Sequence, residues 1–71
     1  MENVTVIIEL GSDGVYTAVP QHKYNVGFIG CGKTIKDAMA DLNQSLKEAQ
    51  DILPELPDFA FDVKYSCNAA R

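Results

Sequence analysis

Ile35, Ala38, Met39, Leu42, Leu46, Ala49, Ile52 and Leu53 recur at steps of three and four, one apolar stripe along a helix of about five turns. This stripe constrains the fold more than any other feature, because the rest of the chain reads as strand and turn. Thr34 is placed to cap the helix N-terminus, and Asp37 three residues on makes a capping-box-like pair. Pro54 ends the helix and Pro57 keeps the next stretch extended. Lys36, Asp41, Asn43, Lys47 and Gln50 fall on the opposite side and read as solvated surface.

Before the helix, residues 4–10 are β-branched and apolar. Val4, Val6, Ile8 and Leu10 share one face, while Ile7 lies on the other between Thr5 and Glu9. Gly11-Ser12-Asp13-Gly14 is a hairpin loop in which Gly11 and Gly14 supply the positive φ angles of a tight reversal. Residues 15–19 read as a second strand, 20–25 as a polar connection and 26–31 as a third strand. Gly30 and Gly32 carry the chain from there to the helix cap. After the helix, Phe59, Phe61, Val63 and Tyr65 alternate with Ala60, Asp62 and Lys64, the pattern of a half-buried strand.

The expected fold is therefore α+β in the order β-β-β-α-β, an antiparallel sheet with one amphipathic helix on one face. A single domain is expected over residues 1–66, with a tail at 67–71. One helix covers one face of such a sheet, and the apolar residues left on the far face call for burial against another chain. Size adds to that demand. A domain of 71 residues buries only about 60% of the surface its unfolded chain exposes, so help from a second subunit is expected. A homodimer or higher oligomer follows.

Residues 27–34, GFIGCGKT, match the phosphate-loop pattern G-x-x-x-x-G-K-S/T letter for letter. The chemistry needs backbone N–H groups wrapped around an anion, Lys33 on the β/γ-phosphates, Thr34 on magnesium, and a parallel sheet to hold the loop. Parallel strands require long crossovers, and this chain has room for one. Phe28 and Ile29 also read better as strand residues, and the run ending at Asp62 is too common to count as the metal-holding strand. No nucleotide, cofactor or metal is expected here.

Catalytic groups are sparse. His22, between Gln21 and Lys23, reads as solvent-exposed rather than as a base for a nucleophile. Cys31, near the helix N-terminus, reads as a small buried apolar side chain rather than a reactive thiolate. Cys31 and Cys67 with one histidine at unrelated spacings do not make a zinc site. The N-terminus has no basic segment and only a short apolar run, unlike a signal peptide, so a cytoplasmic location with free thiols is expected. No apolar run approaches the ~18 residues of a membrane span. Ten carboxylates against six Lys and Arg give a net charge of −4 without a basic stripe, which argues against nucleic-acid binding by this chain alone. Such a surface suits a basic protein partner.

The stretch VTVIIELGSDGVYTAV, a short variable loop, and GFIGCGKTIKDAMADLNQSLKEA together resemble the N-terminal domain of HicB-type antitoxins. The most telling piece is Gly32-x-Thr34-x-x-Asp37-Ala38 followed by Leu42, with Asp13-Gly14 ahead of Tyr16, Ala18 and Pro20. The resemblance covers residues 3–66. Where many relatives carry Pro-Gly-Cys after the second strand, this chain has His22-Lys23-Tyr24-Asn25. The DNA-binding segment that usually follows is not among these residues.

The resemblance implies a partial ribonuclease-H-like fold and a role in binding and neutralising a small basic mRNA-cleaving toxin, a HicA-like protein. It implies a non-enzymatic interaction domain. The alternatives are an orphan oligomeric binding module of the same family or a metal-dependent nuclease, whose chemistry would need several clustered carboxylates. Partner contacts are expected on the sheet face away from the helix, at Ile7, Thr17 and Val19, if Val4, Val6, Ile8 and Leu10 face the helix with Tyr16 and Ala18.

Overall fold

The alternating run at the N-terminus forms β1 (Glu2–Leu10), the spine of the sheet. In the computed structural model, which describes residues 2–66, it is followed by β2 (Tyr16–Gln21), β3 (Gly30–Gly32), α1 (Ile35–Ile52) and β4 (Phe59–Ser66). The strands lie side by side in the order β3-β2-β1-β4. The expected tail, with Cys67, lies outside the described residues.

A five-residue loop joins β1 to β2. The Gly11 N–H donates to the Val15 carbonyl at 2.9 Å and the Gly14 N–H to the Gly11 carbonyl at 3.0 Å. Gly14 closes the turn at φ +81°, a left-handed conformation that side chains resist, whereas Gly11, expected to share that conformation, does not adopt it. The Asp13 carboxylate accepts from the Val15 N–H at 3.1 Å and stiffens the loop.

From that hairpin the ladder alternates. Ile7 and Glu9 bond to β2, whereas Ala18 and Tyr16 turn their backbone groups toward β3, where they pair with Gly30 and Gly32. The next outward-turned position on β2 is Pro20, which has no N–H to give. It would stand opposite Phe28, so the ladder cannot run back past Gly30. The third strand is therefore Gly30–Gly32 instead of the expected 26–31. Freed from the sheet, Phe28 turns into the core and is 5% exposed.

The sheet is mixed rather than wholly antiparallel. β1, β2 and β3 form the expected meander, but β4 lies parallel to β1, with Val4 beside Phe61 and Val6 beside Val63. The 18-residue helix, about 27 Å long, supplies the return path. It carries the chain back along the sheet, so β4 starts at the same end as β1. This is the one crossover the chain length allows.

Helix α1 lays Ala38, Leu42, Leu46 and Ala49 on the sheet against Val4, Val6, Ile8 and Ala18, with Leu56 and Phe59 closing the end. Val6, Ile8 and Leu42 have no solvent exposure. The ends of the apolar stripe escape burial, Ile35 at 37% and Ile52 at 78% exposed. Thr34 caps the helix as expected, its Oγ1 accepting the Asp37 N–H at 3.0 Å. Thr34→Ala should lower stability by about 1 kcal/mol, read as an earlier urea midpoint with an unchanged slope.

Two residues read as solvated surface tie the structure together. Gln50 Nε2 donates to the carbonyls of Leu56 and Pro57 and to the Asp58 carboxylate, at 3.4, 3.2 and 3.0 Å, fastening the link from α1 to β4. Asp41 Oδ2 accepts the Cys31 N–H at 3.0 Å, on the side of β3 that faces away from β2.

Candidate functional site

Side-chain alternation sorts the sheet into two faces. Val4, Val6 and Ile8 lie under the helix with Ala18, and Leu10 and Tyr16 share that side. The opposite face carries Ile7, Thr5 and Glu9 from β1, Thr17 and Val19 from β2, Cys31 from β3, and Asp62 and Lys64 from β4. Ile7 and Val19 stand directly opposite each other, with Thr17 opposite Glu9 one step along. The three expected contact residues thus share one surface, and all three are half-buried.

At its centre an Ile–Val pair makes a small apolar island. Around it are hydroxyls from Thr5 and Thr17, carboxylates from Glu9 and Asp62, and the ammonium of Lys64. No helix covers this face among the described residues. An apolar centre with a charged rim is the ordinary anatomy of a protein-binding patch.

Cys31 belongs to this exposed face and is a free thiol, not the buried side chain expected. The reason is parity. Gly30 and Gly32 face the helix, where a Cβ on Gly32 would fall 2.7 Å from the Ala38 nitrogen and one on Gly30 would strike the Ala38 carbonyl. Cys31, between them, must point the other way. The signal was in the sequence, as two glycines spaced by two mark a strand face closely approached by backbone.

The residues of GFIGCGKT are engaged otherwise. Phe28 is core, Gly30 to Gly32 form a strand, Thr34 caps the helix, and the Cys31 N–H is held by a carboxylate. An anion at that N–H would meet the negative charge of Asp41. Among the described residues no three His, Cys, Asp or Glu side chains gather as a metal site.

His22 is half-buried rather than solvent-exposed. Its ring stacks on Phe28 with centroids 4.8 Å apart, and its Nδ1 accepts the Tyr24 N–H at 3.1 Å. Tyr24 in turn donates to the Glu2 carboxylate at 2.6 Å. That hydrogen bond, helped by desolvation and by the negative charge on Glu2, holds the Tyr24 phenol above its ordinary pKa. With Phe59 these rings close the end of the core, and Nδ1 of His22 is committed to a loop amide.

A second apolar surface escaped the sequence reading. Val26, Phe28, Ile29, Ala49 and Ile52 line an open groove of 480 Å³ rimmed by Ser45 and Glu48. Ile29 is 49% exposed there. It arises because residues 26–29 leave the sheet and lie beside the end of the helix. No described helix is long and apolar enough to cross a membrane. No family model, curated protein or solved structure matches the chain.

Proposed function

We propose that the chain is a HicB-like antitoxin domain that binds and neutralises a small basic mRNA-cleaving toxin through the open face of its sheet. The observation that carries this reading is the Ile7–Val19 pair, half-buried and uncovered on the face opposite the helix. The sequence resemblance supplies the class of partner, and a net charge of −4 suits a basic one. The chain acts by contact: it covers the toxin and contributes no catalytic group. The partial ribonuclease-H-like fold is part of this reading and comes from the sequence resemblance, and the natural setting is the cytoplasm, where such a toxin meets its messenger.

Titration calorimetry with a HicA-type toxin tests the proposal. Binding by the wild-type chain is expected, and Ile7→Asp should weaken it by about 1 kcal/mol or more, roughly fivefold, while the thermal melt stays near wild type. Unchanged affinity in a folded Ile7→Asp variant would remove the open face from the account. Salt-sensitive binding of residues 1–71 to operator DNA would remove the partner class.

A further inference from the structure

β4 forms one edge of the sheet, with β1 on its inner side and no described strand on its outer side. The register tells which of its backbone groups face outward. Glu2 stands beside Phe59 and donates its N–H to the Asp58 carbonyl at 3.1 Å. In a parallel ladder this phase turns the backbone groups of Ala60, Asp62 and Lys64 toward β1 and those of Phe61 and Val63 outward. The side chains are arranged to match. Val63 is 44% exposed, since α1 lies over β3 and β2. Asp62 and Lys64, on either side of Val63, are both exposed and stand beside Thr5 and Ile7 of β1.

We infer that this edge docks a second copy of the same chain, the two β4 strands pairing antiparallel with Val63 on the two-fold axis. The strand is self-complementary about that residue. Asp62 comes opposite Lys64 of the second copy, Lys64 opposite its Asp62, and Phe61 opposite its Tyr65. The outward N–H and C=O of Val63 meet the same groups of the second Val63 as a hydrogen-bonded pair. Sliding the register to centre on Asp62 or Lys64 sets like charges opposite each other, which is unfavourable. Charge thus favours this antiparallel register over the two adjacent ones. The apolar strip at Val63 that the helix leaves bare is covered by its own counterpart. Both open faces stay uncovered, so this assembly stands or falls independently of the toxin-binding reading.

Sedimentation equilibrium of the full chain, with charge-reversed variants, tests the assignment. The wild type should show a species of twice the 7.8 kDa chain mass at high micromolar concentration. Each pair occurs twice in a two-fold dimer, so Asp62→Lys should weaken association about tenfold or more, and Lys64→Asp likewise. The double variant Asp62→Lys with Lys64→Asp rebuilds both pairs with signs exchanged and should return to within about threefold of wild type. Restoration by the double variant also rules out misfolding as the cause of either single loss. A wild type that stays at 7.8 kDa, single reversals without effect, or a double variant as weak as the singles would each overturn the assignment.

Discussion

Gly30→Ala should remove a large part of the protein's stability and bring its unfolding midpoint sharply down. A Cβ at that position runs into the Ala38 carbonyl and the Leu42 nitrogen and lies 2.8 Å from the Leu42 Cα, all backbone of the helix rather than movable side chain. Relief requires α1 to lift from the sheet, which strips cover from Val6, Ile8 and Ala18. Overpacking of a close backbone contact costs about 3 kcal/mol or more, a large part of the roughly 5 kcal/mol that holds a small domain together. Gly27→Ala provides the control, because nothing lies within 4 Å of a Cβ there. Urea titration followed by far-UV circular dichroism compares the two. Equal midpoints for Gly30→Ala and wild type would mean that the helix does not rest on β3 as described.

Ile8→Asp should abolish folding outright, although Ile7→Asp, one residue earlier, leaves the fold intact. Ile8 has no exposure and packs beneath Leu42 and its neighbours, whereas Ile7 is half-buried on the face that no described helix covers. An ionised carboxylate at Ile8 has no partner in an apolar core and costs several kcal/mol whether it stays charged or takes up a proton. Proton–nitrogen correlation spectra distinguish the outcomes: collapsed dispersion is expected for Ile8→Asp and native dispersion for Ile7→Asp. Since both substitutions make the same chemical change, any reversal of this order would mean that the faces of β1 are exchanged.

Those faces are legible in the sequence, because alternation along residues 4–10 is a local property and so is the helical stripe from Ile35. Thr34, Pro54 and the Asp13-Gly14 loop bounded their elements for equally local reasons. What the sequence concealed depends on pairing between distant segments. The direction of β4 does not alter its period of two, so Phe59 to Tyr65 look the same in a parallel or an antiparallel ladder. Pro20 shortens β3 only because register places it opposite Phe28. His22 looks solvated until Phe28 is seen to fold back over it. Asp41 and Gln50 sit on the polar side of the helix, and their partners, three backbone groups and the Asp58 carboxylate, lie ten and six to eight residues away. Of the candidate site, the positions of Ile7, Thr17 and Val19 follow from parity alone, while the exposure of Cys31 needed the close approach at Gly30 and Gly32.

The two rims of the sheet are unequal. β3 is three residues long, and the carboxylate of Asp41 occupies the one backbone amide that Cys31 presents outward. An incoming strand would have to displace that acid and would find too short a template, so this rim is inert. A sheet adhesive at both rims polymerises, each added molecule offering a fresh end. With one rim sealed by a helix side chain, strand addition arrests after a single step, and a small acidic protein can keep a sticky border without the risk of fibre growth.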